Sequence, residues 1–131
     1  MKLDKVLFEK LGTEAAISPR LRKNFDLRDS ENENGQRMLN ALQPGAFVPV
    51  HRHLDTGEVC ICIYGSVIER YYDEQGEEIA SFTLTAGGEC PGVLIPPGQF
   101  HSLETNGQMA VIIEAKAGRY DQCRNEFLNL E

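Results

Sequence analysis

The chain has 131 residues, enough for one domain that buries its core without disulfide support. Apolar residues make up 41% of it and charged residues 25%, a globular composition that excludes a disordered or fibrous chain. Thirteen basic against twenty acidic side chains give a net charge of -7, which repels a phosphate backbone and argues against nucleic acid as a partner.

At the start, Leu3, Val6, Leu7 and Leu11 recur at helical spacing and Gly12 offers a stop, which predicts a short amphipathic helix over residues 3–11. Asp4, Glu9 and Glu14 break up the apolar residues, so no run there suits a signal peptide or a membrane span. A cytoplasmic protein with no membrane partner is the expectation. Residues 19–28 then carry Arg20, Arg22, Lys23 and Arg28, and "DSENENG" after them is loop chemistry. Residues 1–35 are therefore expected to pack, as a helix and a basic segment, on a barrel built from residues 36–131.

From Gln36 the pattern changes to short β-branched or alternating runs: "QRMLNAL", "AFVPVHRH", "EVCICIY", "SVIERYY", "EIASFTLT", "GVLIP", "QFHSLE" and "MAVIIEA". Gly, Pro and Asn separate them, and "DEQGE" at 73–77 is a hairpin connection. Eight such strands predict an all-β fold, an antiparallel barrel or double-sheet jelly roll. The tail "DQCRNEFLNLE" is too short for a domain. Cys60, Cys62, Cys90 and Cys123 are even in number, but without a secretory signal they are expected as reduced thiols. Cys60 and Cys62 share one face of a strand, where each packs as a small apolar group.

The three histidines carry the chemistry. Residues 45–65, "GAFVPVHRHLDTGEVCICIYG", place His51 and His53 one residue apart on one face of a strand, roughly 6.5 to 7 Å apart at Cα. Glu58 opens the next strand and can close on the same point, and His101 follows the tight turn "IPPGQF". A metal site, a general acid/base pair using His51 or His101, and satisfied strand histidines all compete for this pattern. Three imidazoles and a carboxylate suit one divalent transition metal (iron, manganese, nickel, cobalt or zinc) and leave one or two positions open for a ligand.

The spacing Gly45, five residues, His51, one, His53, four, Glu58, six, Gly65 resembles the first cupin motif at every fixed position. Pro96, Gly98 and His101 fit the second motif; Cys90 stands where a glycine is usual, and Asn106 falls one position late. With "SPRLRKN", "QRMLNALQPGAF", "HRH", "IPPGQFH" and "EAKAGRYD", the chain is similar to the WbuC-type cupin metalloproteins from about Ser18 to Asp121. That resemblance implies a cupin barrel, the ligands His51, His53, Glu58 and His101, a homodimer, and a link to surface polysaccharide synthesis. It implies no particular reaction.

Arg37, beside Gln36, is expected to form with Arg22 and Asn24 a fork for a carboxylate or phosphate on a small, oxygen-rich ligand, with Gln99 nearby. Cys60 and Cys62, two and four residues beyond Glu58, fall below the metal, where a thiol could also ligate it or be oxidised. Two functions follow. One is an enzyme in which the metal polarises a sugar or sugar acid, with Tyr71, Tyr72, Gln99 and Glu114 as the groups available to move protons. The other is a module that binds or senses the same ligand without turnover.

Overall fold

The computed structural model describes residues 1–118 and 125–128. Cys123 and the end of the "EAKAGRYD" segment lie outside the described residues. Helix α1 (Lys5–Ala16) begins where the Asp4 side chain accepts a hydrogen bond from the Leu7 N–H, the usual cap for the free amides of a first turn. It runs through Gly12, which sequence spacing had marked as a stop. Gly12 serves packing instead, since a Cβ there would lie 2.6 Å from Met109 Cε.

Among the described residues the strands form two five-stranded sheets, and every pairing is antiparallel. In chain order they are β1 (Arg22–Asp26), β2 (Gly35–Leu42), β3 (His51–His53), β4 (Glu58–Tyr64), β5 (Ser66–Tyr72), β6 (Glu78–Thr85), β7 (Gly92–Ile95), β8 (Phe100–Thr105), β9 (Ala110–Ala117) and β10 (Asn125–Phe127). One sheet has the order β1-β2-β9-β4-β7 and the other β10-β3-β8-β5-β6. The eight expected strands are all present, but "AFVPVHRH" is strand only at His51–His53, where it escapes the missing N–H of Pro49. Two strands, β1 and β10, had no expected counterpart. The basic segment supplies β1, which pairs with β2 from Arg22↔Leu42 to Asp26↔Met38.

Two cores form, one on each face of the first sheet. Leu42, Cys60, Cys62, Val67, Leu84, Leu103 and Ile112 fill the space between the sheets. On the outer face, Phe8, Leu11 and Ala15 of α1 pack on Leu39, Ala41 and Val111. The interior filling reaches only part of the way up, and a cavity occupies the rest.

The turns that aim the histidines depend on backbone that favours glycine. Gly45, Gly65 and Gly98 have φ of 91°, 74° and 81°, so three glycines of the two motifs adopt the left-handed region. Cys90 needs no such freedom, because Gly87 (φ 69°) makes the turn before it and Thr85 N–H donates to the Cys90 carbonyl at 3.1 Å. Gly65 is doubly constrained, since a Cβ would lie 2.7 Å from the Met109 carbonyl oxygen. Gly107 (φ 90°) has open space instead. Gly107→Ala is therefore expected to cost about 1 kcal/mol, and Gly65→Ala roughly 3 kcal/mol or more. Urea denaturation of both variants checks this, and equal losses would contradict the backbone clash.

Candidate functional site

The site lies where β3, β4 and β8 meet the cavity. His51 pairs with His101 across the β3–β8 ladder, and Glu58 opens β4 in the facing sheet. The turn before β8 is tied to β3 by the Gly98 N–H donating to the His53 carbonyl at 2.8 Å. Arg52 points to the opposite side of β3, bonded to Glu74 and Glu126 and lying 4.3 Å above the Phe100 ring. Those contacts pin the short strand that carries two of the histidines.

The ring nitrogens of His51, His53 and His101 lie within 4.8 Å of one another. His51 Nδ1 is 2.8 Å from the Pro49 carbonyl and His101 Nδ1 is 2.9 Å from the Gln99 carbonyl. A carbonyl oxygen only accepts, so each Nδ1 carries the proton and each Nε2 keeps a lone pair. His53 Nε2 is 2.8 Å from Glu58 Oε2, and His101 Nε2 is 3.9 Å from the same oxygen. The three imidazoles thus cluster, with the Glu58 carboxylate beside His53 and His101.

Burial, reinforced by the neighbouring His101, lowers the His51 pKa to about 4, and burial also lowers that of His101. Both rings are thus neutral at pH 7, as ligation requires. Burial, the largest single effect, pushes the Glu58 carboxyl up, but the His53 hydrogen bond and electrostatic attraction to His101, His53 and His51 together outweigh it and hold the group below the usual carboxylate range. Two donors bound to one ion at about 2.1 Å sit about 3 to 4 Å apart. The histidine nitrogens, within 4.8 Å of one another, and the Glu58 oxygen, 2.8 and 3.9 Å from His53 and His101, lie near that spacing, and the donor chemistry fits a divalent transition metal.

The cavity has a volume of about 440 Å³. Beyond the histidines its wall includes Arg22, Asn24, Gln36, Asn40 and Lys116. The expected fork is only half assembled. Arg22 and Asn24 reach the cavity, whereas Arg37 lies on the other face of β2, bonded to the Leu27 carbonyl and to Glu33. Gln36, its neighbour, takes the inward position. Arg20 joins Arg22 at the rim, and between them Leu21 has a φ of 56°, a costly conformation for a branched side chain.

Of the four groups expected to move protons, Glu114 lines the cavity. Gln99 instead donates to the Tyr72 and Phe100 carbonyls, Tyr72 bonds Ser102, and Tyr71 stacks edge-on against Phe82. Burial, with Glu58 nearby, raises Glu114 to about 7. Sequence reasoning missed Glu69, which is 1% exposed and lines the same cavity, its pKa raised by burial. The signal was present in "SVIERYY", where the two-residue period puts Glu69 on the inward face with Val67 and Tyr71. Cys60 and Cys62 are both 1% exposed, and burial raises both thiols, which favours packing over reactivity.

A family model described as a domain of unknown function, DUF6016, matches residues 3–84. The chain belongs to this family. No curated protein matches it. Among solved structures, this DUF6016 chain resembles the capsular polysaccharide assembling protein CapF from Staphylococcus aureus, with a TM-score of 0.71 and 20% identity over 87% of the chain and 33% of CapF. It also resembles a cupin-superfamily sugar phosphate isomerase from Silicibacter pomeroyi, with a TM-score of 0.65 and 17% identity over 83% of the chain and 66% of that protein. An oxalate decarboxylase from Lactobacillus farciminis, solved as a formate complex, gives 0.61 at 15% identity over 82% and 30%. The DUF6016 chain thus spans about a third of CapF, and what it shares with these proteins is the cupin barrel fold.

The raised Glu114 pKa makes a prediction for stability. A carboxyl that ionises at about 7 when folded and near 4.5 when unfolded binds more protons in the folded state, so its contribution to stability is lost as pH rises from 4.5 through 7. For metal-free protein, Glu114→Gln should match wild type near pH 4.5 and exceed it at pH 8 by up to about 3 kcal/mol. Chemical denaturation at the two pH values measures this. A variant no more stable than wild type at pH 8 would contradict the burial argument.

Proposed function

We propose that this chain is a metal-dependent cupin of the WbuC type, in which His51, His53, Glu58 and His101 hold one divalent transition metal. Its ligand is a small oxygen-rich molecule, a sugar or sugar acid of surface polysaccharide synthesis, that fills the cavity beside the ion. The observation that carries this reading is the pair of Nδ1–H···O=C bonds, which leaves Nε2 of His51 and of His101 with a lone pair in a cluster where one nitrogen from each of the three histidines lies within 4.8 Å of the others. CapF and the sugar phosphate isomerase, by their names, support the ligand class through shared fold alone.

When bound, the metal would supply a Lewis acid for a carbonyl or hydroxyl oxygen. The chain's own residues do the rest. Arg20, Arg22 and Lys116 favour an anionic group at the cavity wall, and Glu114, poised near neutrality, is the group that can take or return a proton. A second reading, binding without turnover, is favoured by one observation: Tyr71, Tyr72 and Gln99 are all engaged away from the cavity.

Metal analysis followed by a screen of sugars, sugar acids and other small organic acids tests the proposal, with thermal shift and product formation read together. We expect about one metal per chain and stabilisation by oxygen-chelating ligands, both lost in His101→Ala. A metal-loaded protein that no such ligand stabilises or loses to product would contradict the ligand class. Product formation that stops in Glu114→Gln while ligand stabilisation persists identifies the enzyme; stabilisation without product from any ligand identifies the module.

A further inference from the structure

The metal centre leaves one wall of the cavity unexplained. Three side-chain oxygens, Gln36 Oε1, Asn40 Oδ1 and Glu69 Oε1, are buried and have no hydrogen-bond partner among the described residues. All three residues line this one cavity. Asn40 is 6% exposed and Glu69 1%, so neither is a surface group that happens to touch the opening. Folded chains keep few buried polar atoms without partners, because each forfeits its hydrogen bonds to water. Such oxygens gathered on one cavity call for a partner that the chain does not supply.

The strands set their direction. Gln36, Met38 and Asn40 alternate with outward residues on β2 and so share its inner face. Asn40 Nδ2 donates a long hydrogen bond of 3.5 Å to Glu114 Oε1 on β9, which turns the amide nitrogen toward β9 and leaves the oxygen over. Glu69 comes from β5 in the opposing sheet, between Val67 and Tyr71, at a position where an apolar side chain would complete the core.

We propose that this wall is a polyol subsite, in which Gln36, Asn40 and Glu69 receive the hydroxyl groups of a ligand whose other end lies at the centre formed by His51, His53 and His101. The inference rests on the metal-centred reading given above and specifies its ligand class. Three ligand chemistries compete for the oxygens. An ammonium group would meet Arg20, Arg22 and Lys116 on the same lining. A carboxylate brings only acceptors to acceptors, beside Glu58 and Glu114. A hydroxyl donates and accepts without charge, which suits two amide oxygens and a buried carboxyl. The matching ligand is a polyhydroxylated acid, its carboxylate near the cations and its hydroxyl tail on the wall.

Glycolate and gluconate share a 2-hydroxycarboxylate and differ in the hydroxyl tail, so calorimetric titration of metal-loaded protein with each isolates the wall. Gluconate is expected to bind about tenfold tighter or more, since each hydrogen bond to a buried partner discriminates by about that factor. Asn40→Leu, which keeps the branching of the side chain and removes its oxygen, should bring the ratio close to one while glycolate affinity and metal content stay unchanged. Gln36→Leu should raise the thermal midpoint of ligand-free protein, because it deletes a buried oxygen that lacks a partner and gives up only a weak 3.6 Å contact to Met38 Sδ. Gln36→Leu serves if Asn40→Leu does not fold. Equal affinities in wild type, or a ratio that survives in both variants, would overturn the polyol wall and leave the metal reading intact. A chain that binds neither metal nor glycolate would sink the metal reading. In that case a preference for glucitol over 1,4-butanediol still supports the wall, and its absence overturns it.

Discussion

The site depends on two short hydrogen bonds from imidazole to backbone. Pro49 and Gln99 each offer a carbonyl to the Nδ1–H of the histidine two residues later, at 2.8 and 2.9 Å. These bonds fix the tautomer and ring orientation together, so the remaining lone pairs of His51 and His101 aim at one place before any ligand arrives. The backbone that delivers the carbonyls is itself specified. Pro49 interrupts the run before β3, and Gly98 shapes the turn before β8 while its N–H closes on the His53 carbonyl.

The same enclosure that neutralises the histidines makes the cavity costly for the chain. Glu69 and Glu114 are carboxyls in a low-dielectric wall, and burial raises both toward the protonated form. Leu21 holds a left-handed backbone that brings Arg20 and Arg22 to the rim together. A barrel selected for stability alone would fill this space with leucine and valine, as it does lower down around Val67, Leu84 and Ile112. Polar groups kept at such cost are what the proposed ligand site in the upper part of the barrel accounts for.

Much of the fold was legible because strand alternation is a strong signal. The "EVCICIY" run is strand over Glu58–Tyr64, with Glu58, Cys60 and Cys62 buried and Val59 and Ile61 outward. The histidine cluster was legible through spacing, since one residue between His51 and His53 commits both to one face. What escaped was set by tertiary context. In β1, Phe25 is the single apolar side chain among "RKNFD", too little pattern to read as a strand, and only pairing with β2 makes it one. Arg37 was misplaced for the reverse reason: its neighbour Gln36 holds the inward register on β2, which sends Arg37 out to Glu33. Helix α1 ran past its predicted stop to Ala16, with Gly12 buried inside it beside Met109.

The most direct test of the account is the X-ray absorption spectrum of the zinc-loaded protein. Three imidazole rings and one carboxylate require a first shell of nitrogen and oxygen at about 2.0 to 2.2 Å, with the outer-shell scattering that imidazole carbons produce. The account predicts that spectrum, and predicts that its imidazole features weaken in His51→Ala. A sulfur shell at about 2.3 Å, which would assign the metal to Cys60 or another thiol, or a first shell without imidazole, would contradict it.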